Sequence, residues 1–112
     1  MGQRRSGKRD AETRLIYHKK YLPVKFLLEN LSKYELMGIY RPQAYVEGAG
    51  RYCTECQFEL FKRTIEPGQS VVVTGVLFAP HGFGEHLKAG SLVTLRNGLD
   101  IEAKAVVLEI LI

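Results

Sequence analysis

Residues 91–111 have the sequence SLVTLRNGLDIEAKAVVLEIL, in which Asn97-Gly98 separates two apolar-rich stretches, 91–96 and 99–111. An Asn-Gly pair in this setting favours the tight turns that connect antiparallel strands. In the second stretch the apolar residues change parity partway along, from Ile101, Ala103 and Ala105 to Val106, Leu108 and Ile110. A β-bulge, or a strand covered on both faces, would produce that change. The sequence therefore predicts a β-hairpin at residues 91–111.

Four stretches upstream of this hairpin also have the composition of β-strands, namely 24–29, 36–46, 55–61 and 70–79. The first could also be helical towards its end, whereas 55–61 alternates polar and apolar residues as a half-buried strand requires. Pro42 restricts its stretch to an edge, a strand start or a bulge. Glu66-Pro67-Gly68-Gln69 has the residues of a β-turn, and the glycine-rich segment 80–90 is expected to be a loop.

These stretches add up to about six strands, and no segment has the pattern of an amphipathic helix of about ten residues or more. Several strands are apolar on both faces along part of their length, which suits a closed barrel better than an open sheet with exposed edges. We therefore expect an all-β fold, a single closed six-stranded antiparallel β-barrel. The barrel domain is expected at residues 13–112, behind a disordered basic tail at residues 1–12.

The composition fits one globular domain, with 112 residues of which 46% are hydrophobic and 25% charged. No apolar run approaches the roughly 18–20 residues of a membrane-spanning helix, and no apolar segment of a secretory signal follows the basic N-terminus. The two cysteines are too few for a disulfide framework. We therefore expect a cytoplasmic protein without a membrane partner.

The positive charge is concentrated at the N-terminus. Residues 1–20 contain seven basic and two acidic side chains, a net charge of +5, so residues 21–112 contribute −1 to the total of +4. A short basic segment is typical of a solvated, disordered terminus, although it can also bind nucleic-acid phosphates through counterion release. The tail residues that would make such contacts are Arg4, Arg5, Lys8 and Arg9.

Four segments follow one another in a characteristic order: YRPQAY at 40–45, IEPG at 65–68 with VVV at 71–73, LFAP at 77–80, and LRNG at 95–98. Together they resemble the third domain of bacterial elongation factor Tu, whose first segment has phenylalanine in place of the alanine. The resemblance extends over residues 24–111 at closely similar spacing. It implies a six-stranded antiparallel barrel, here as a small stand-alone protein.

The resemblance implies binding rather than catalysis. In the elongation factor this domain contacts the aminoacyl-tRNA, the exchange factor and the nucleotide-binding domain. The sequence departs from the family at residues 30–35, where Lys33 is the only cation, and at Asp100, where the family has an arginine. An acidic residue repels phosphate, which argues against a tRNA contact made in the family's manner. No phosphate-binding Gly-x-x-x-x-Gly-Lys-Ser/Thr loop occurs, which excludes GTP hydrolysis.

The cysteines and histidines form no recognisable site. Cys53 and Cys56 have the spacing of half a zinc site, but residues three apart on a strand face opposite sides. His81 and His86 share a loop with Glu85, where a polar surface loop is the simpler interpretation, because catalysis also needs a nucleophile or metal and a shaped pocket. We expect no catalytic residue, metal, cofactor or small-molecule substrate. A small hydrolase or metal protein built on the two cysteines and the two histidines, Cys53, Cys56, His81 and His86, is the third alternative.

Two sets of residues are candidates for binding. Arginines among tyrosines can bind phosphate and stack on bases, or they can pack structurally on their neighbours. Outside the tail, the nucleic-acid candidates are Lys33, Arg41, Gln43 and Arg96, and the protein-contact candidates are Tyr40, Tyr45 and Phe83. Phe83 could equally be buried over the end of the barrel.

The leading hypothesis is a non-catalytic binding module whose partner is a protein. That partner would be a translation component, or a toxin that the module neutralises as a decoy or immunity protein. The alternative is an accessory protein that binds tRNA or another RNA through the basic tail and the side of the barrel that carries Arg41 and Arg96. RNA binding would weaken steeply with salt, and a near-neutral protein interface would not.

Overall fold

The computed structural model describes residues 21–112, which form seven β-strands and one short 3-10 helical segment. The strands are β1 (Leu22–Asn30), β2 (Leu36–Tyr40), β3 (Gln43–Val46), β4 (Cys53–Ile65), β5 (Ser70–Leu77), β6 (Leu92–Asn97) and β7 (Asp100–Ile110), and the 3-10 segment is Pro80–His86. The predicted tail, and the part of the predicted barrel domain at residues 13–20, lie outside the described residues.

The sheet closes on itself. Neighbouring strands pair in the order β2-β4-β3-β6-β7-β1-β5, and β5 pairs in turn with β4. All of these pairings are antiparallel. Six strands thus form a closed barrel, and β2 is an extra strand that pairs with the C-terminal half of β4. The predicted barrel is confirmed, and strand β1 excludes the helical alternative for residues 24–29.

The seventh strand arises because the predicted strand at 36–46 is broken in two. β2 ends at Tyr40 and β3 begins at Gln43, so that Arg41 and Pro42 lie between them. Proline has no N–H to donate to a sheet, but the Pro42 carbonyl accepts a hydrogen bond from the backbone N–H of Cys56 at 2.9 Å. Pro42 stands directly before β3, which is one of the three predicted alternatives, and the break adds one strand, β2, to the six strands of the barrel.

The C-terminal hairpin and its irregularity are confirmed. Asn97 and Asp100 are opposite each other in β6 and β7, and Gly98 has a φ of 65°, the positive value that tight hairpin turns require at this position. Pairing with β6 skips Glu102, and pairing with β1 skips Leu108. The bulge at Leu108 turns Ile110 towards the core, but the change of apolar parity itself lies between Ala105 and Val106, where Val106 faces outwards between the buried Ala105 and Val107.

The core is filled by alternate residues of each strand. In β4 the buried residues include Cys56, Phe58 and Leu60, the apolar side of the predicted alternation. The Phe58 ring lies against Gly75 of β5, where an added Cβ would stand 2.6 Å from Cε1 of the ring. Glycine is therefore required at this point for the ring to fit between the two strands.

The segment predicted as a loop, 80–90, is partly helical. Two 3-10 turns, separated by Gly84 with a φ of 56°, form the segment Pro80–His86. They carry Phe83 into the core, and the adjacent Leu87 is also buried. The loop prediction missed this segment because short 3-10 turns leave no periodic pattern in a sequence.

Candidate functional site

The outer surface of the barrel carries a row of apolar side chains. Val72 is opposite Leu27, Leu27 is opposite Val106, and Val106 is opposite Leu92. Each residue alternates with core residues of its own strand and therefore faces outwards. Val72 and Leu92 are each 52% exposed and Leu27 is 40% exposed. We call this row of Val72, Leu27, Val106 and Leu92, which crosses β5, β1, β7 and β6, the apolar stripe.

Ion pairs stand on both sides of the apolar stripe. On one side, the Lys104 ammonium lies 3.8 Å from the Glu29 carboxylate on the neighbouring strand. On the other, the Lys25 ammonium lies 3.7 Å from the Glu109 carboxylate. Since opposite charges are paired across strands on each side, the stripe has a polar rim of little net charge.

A groove of about 520 Å³ lies along the stripe on the side of the Glu29–Lys104 pair. Its lining includes Leu27, Leu92 and Val106 from the stripe, together with Tyr45 and Arg96. The Arg96 guanidinium carbon is 4.6 Å from the centroid of the Tyr45 ring, a cation–π contact. The Arg96 Nε is buried and has no hydrogen-bond partner among the described residues.

Tyr45 also interacts with Cys53, which is opposite it on β4. A hydrogen bond with the Cys53 thiol raises the pKa of the Tyr45 hydroxyl, and the Arg96 guanidinium opposes that shift. Tyr45 therefore stays a neutral hydroxyl at physiological pH. It offers the groove an aromatic face with a polar tip, a combination enriched at protein interfaces.

The structure brings three of the nucleic-acid candidates to neighbouring positions. Gln43 of β3 is opposite Arg96 of β6 on one side and Glu55 of β4 on the other. Arg41 forms an ion pair with the same Glu55 and lies 5.7 Å from the Phe78 ring. The Glu55 carboxylate thus neutralises Arg41, so these residues do not make a purely basic surface.

The other nucleic-acid candidates are not part of this group. Lys33 is exposed in the loop that connects β1 to β2. Arg4, Arg5, Lys8 and Arg9 lie outside the described residues. The structure therefore tests the placement of only half of the predicted nucleic-acid set.

Of the three protein-contact candidates, only Tyr45 lines the groove. Tyr40 is half-buried, its ring stacks on Phe58, and its hydroxyl donates a hydrogen bond to Glu102 Oε1 at 3.1 Å. Burial and the nearby Glu102 carboxylate raise the pKa of the Tyr40 hydroxyl. Phe83 is 1% exposed and packs edge-on against Tyr52, so its prediction as a contact was wrong. Phe83 is instead part of the buried core, so burial, the other alternative, is confirmed.

The two cysteines face opposite sides of β4, as the strand geometry predicts. Cys56 is fully buried, and burial raises the pKa of its thiol, whereas Cys53 is half-exposed. His81 and His86 are both exposed on the 3-10 segment. Within residues 21–112, no three His, Cys, Asp or Glu side chains are grouped so that they could hold a metal ion.

Sequence reasoning missed the apolar stripe. Its residues lie in strands that are apolar on both faces, which is the signal that could have identified them. A continuous apolar run predicts burial on both sides, and only the sheet geometry reveals that one side of these strands is open to solvent.

Across the described part of the chain, no helix is long and apolar enough to cross a membrane. Comparison of the sequence with models of known protein families finds no match, and comparison with curated proteins finds none either.

Proposed function

We propose that this chain is a non-catalytic binding module that docks a protein partner on the outer surface of its barrel. The observation that carries the proposal is the apolar stripe, in which four outward residues stand side by side on four adjacent strands. Exposed apolar patches with a polar rim mark protein-interaction sites on soluble domains. The stripe and its two flanking ion pairs have this arrangement.

The composition of the groove also favours a protein partner. Interface centres are depleted in isolated charges and enriched in tyrosine, arginine and apolar side chains. The groove combines Tyr45 and Arg96 with Leu27, Leu92 and Val106. Among its other charged lining residues, Glu29 and Lys104 form an ion pair, and Glu47 is exposed to solvent. Residues 21–112 carry a net charge of −1, so the described body has no excess of cations to attract a nucleic acid.

The resemblance to the third domain of elongation factor Tu suggests which proteins to consider. A closed antiparallel barrel is the fold that the resemblance implies. A partner that recognises that domain, either a translation component or a toxin, would fit a module that acts as its decoy or as an immunity protein. Binding of tRNA or another RNA is the competing function, and it would depend on the basic N-terminus.

The test compares charged variants of the stripe with a matched surface variant. Leu27→Glu and Leu92→Glu place a carboxylate in the stripe, whereas Leu99→Glu does so at the hairpin turn, where Leu99 is 95% exposed. Each tagged, full-length variant is used to capture partners from native extract with and without ribonuclease, at about 50 mM and about 200 mM salt. Captured proteins are quantified by mass spectrometry, and thermal unfolding verifies the fold of each variant.

We expect the two stripe variants to lose at least about 90% of a specific protein partner, because burying an unpaired carboxylate is costly. The Leu99→Glu control should retain the partner, and salt and ribonuclease should have little effect. Equal recovery with all variants would contradict the proposal. Capture that disappears with ribonuclease or with salt would establish RNA binding instead.

A further inference from the structure

The hairpin formed by β4 and β5 is open over half of its length. The two strands pair only where Cys56, Gln57 and Phe58 are opposite Leu77, Val76 and Gly75. Beyond that point β4 continues alongside β2, and β5 continues alongside β1. The separation leaves a cleft of about 400 Å³, which we call the β4–β5 cleft, lined by residues 59–63 and 72–74.

The backbone groups that face this cleft follow from the hydrogen bonds at either end of β5. The Gln69 carbonyl accepts a hydrogen bond from the N–H of Asn30 at the end of β1, at 3.0 Å, and the Phe78 N–H donates to the Glu55 carbonyl of β4, also at 3.0 Å. Because successive residues of a strand direct their backbone groups to alternate sides, Val72 and Thr74 face β4. Phe58 and Gly75, the last pair of the ladder, direct their backbone groups away from each other, so the hydrogen bond that flanks this pair joins the Glu59 N–H to the Thr74 carbonyl. Within residues 21–112, the Thr74 N–H and the backbone groups of Val72 lie beyond the end of this ladder.

One of these groups has a substitute partner. The Val72 carbonyl accepts a hydrogen bond from Arg63 Nη1 across the cleft, at a distance of 3.5 Å. That distance is at the long limit for such a bond, so the contact is weak. An incoming backbone N–H would make a shorter bond to the same carbonyl and would release the guanidinium.

The apolar stripe extends to the edge of the cleft and has a counterpart on the other side. Val72 is the last residue of the stripe, and Phe61, which is 68% exposed, lines the opposite wall. If the pairing of β4 with β5 continued in the same register, these two residues would be opposite each other. A side chain placed between them would join the stripe to Phe61 in one apolar row.

We propose that the β4–β5 cleft takes up an extended segment of the partner polypeptide as an additional strand between β4 and β5. A polypeptide backbone matches the edge of β5, whose donors and acceptors alternate at the spacing of a β-strand. The β4 edge is regular as far as Leu60 and irregular over residues 61–64, where its register with β2 shifts. The segment would be antiparallel to one neighbour and parallel to the other. The inference rests on the proposed function, since the same partner would cover the stripe.

The charge of the cleft specifies the segment further. Lys62 and Arg63 bring two positive charges to the lining against the single negative charge of Glu59. An acidic side chain in the segment would balance this excess and pair with Arg63 once the Val72 carbonyl is occupied. The expected segment is therefore extended, carries an apolar residue for the row and has an acidic residue beside it.

The test uses a defined peptide and nuclear magnetic resonance of the full-length, ¹⁵N-labelled protein. The probe is a seven-residue peptide, blocked at both ends, that alternates valine and threonine and carries a central aspartate. In the free protein the amide protons of Val72 and Thr74 should exchange rapidly, whereas those of Val71 and Val73, which face β1, should be protected. The peptide should shift the Phe61, Val72 and Thr74 amide signals and slow exchange at Val72 and Thr74.

Two controls isolate the backbone contribution. Thr74→Pro removes the N–H that faces the cleft and leaves the β1 side of the strand intact, so it should weaken peptide binding at least about fivefold, whereas Thr74→Val should not. A peptide with N-methylated amides along one edge should bind correspondingly weakly to the unaltered protein. This second control decides the question even if Thr74→Pro fails to fold.

The inference is overturned if the peptide causes no shift at these residues at millimolar concentration, or if the methylated peptide binds equally well. Protection of Val72 and Thr74 in the free protein would also overturn it, since the edges would then already be covered by another part of the chain or by a second copy. Shifts confined to the stripe would refute strand addition and leave the proposed function intact. A result against the proposed function itself would come from a different experiment, the capture of partners with the stripe variants.

Discussion

Asn30 is a buried amide that holds together three segments at one end of the barrel. Its Nδ2 donates to the carbonyls of Tyr34 and Ile65, at 2.7 and 2.9 Å. Its Oδ1 accepts from the backbone N–H and the hydroxyl of Ser32, at 2.9 and 2.7 Å. Every hydrogen-bonding group of the amide is therefore satisfied, which is the condition under which a buried polar side chain stabilises a fold.

We expect Asn30→Ala to lower the free energy of unfolding by about 2–3 kcal/mol, because it leaves the buried Ile65 carbonyl without its side-chain donor. Urea denaturation followed by circular dichroism measures the change. Ser32→Ala removes the hydroxyl that bonds to Asn30 Oδ1 and to the Tyr34 carbonyl and N–H, but at a more exposed position, so it should cost about 1 kcal/mol or less. A loss of under about 0.5 kcal/mol in Asn30→Ala would mean that the network does not hold this end together.

The two cysteines of β4 should differ in reactivity because the strand places their thiols on opposite faces. Its alternation places Cys53 on the outside, beside Tyr45, and Cys56 in the core, where burial raises the pKa of the thiol. Because the thiolate is the reactive form, a buried thiol with a raised pKa stays protonated and inert at neutral pH.

We therefore expect a thiol reagent at about pH 8 to modify only Cys53 in the folded protein, and both cysteines after unfolding in urea. Mass spectrometry of the modified chain reports the number and position of the labels. Cys53→Ser should abolish labelling of the folded protein. Labelling of both cysteines at comparable rates under native conditions would show that this part of β4 opens readily.

Turns and strands that depend on neighbouring residues could be predicted from the sequence, whereas those that depend on pairing with a distant strand could not. Asn97-Gly98 and the alternation around Phe58 predicted a turn and a strand correctly, since both depend on neighbouring residues alone. The C-terminal end of β4 was not predicted, because residues 62–65, KRTI, lack alternation. The end of the strand is fixed by Ile65, which pairs with Leu36 of β2, a contact between distant parts of the chain.

The distribution of charge is a property of the whole molecule. Residues 21–112, which contain the seven described strands, carry −1, while residues 1–20 carry +5. Attraction to polyanions should therefore depend on the N-terminal residues, and the barrel should account for the fold.

A chain that begins at residue 21 should keep its far-ultraviolet circular dichroism and its cooperative thermal unfolding, but should lose its retention on heparin at about 100 mM salt. The full-length chain should be retained under the same conditions. If the shortened chain were also retained, cations of the barrel such as Lys33, Arg41 and Arg96 would be responsible, and RNA binding by the barrel would gain support.

The candidate site was less predictable than the fold, for a reason that applies to the whole molecule. A sequence pattern distinguishes apolar from polar positions but not the inside of a closed sheet from its outside. Leu27 and Leu28 look alike in sequence, yet Leu28 is in the core and Leu27 belongs to the stripe. The β4–β5 cleft left no signal either, because an unpaired strand edge has the same residues as a paired one.

The contact between Phe58 and Gly75 has a consequence for the ancestry of this chain. A methyl group at position 75 would collide with the ring, so no substitution there can persist unless position 58 first becomes smaller. The two sites should therefore covary among relatives, glycine accompanying an aromatic residue and a bulkier residue accompanying an aliphatic one. Such a paired exchange would be a mark of shared descent that does not depend on overall sequence identity.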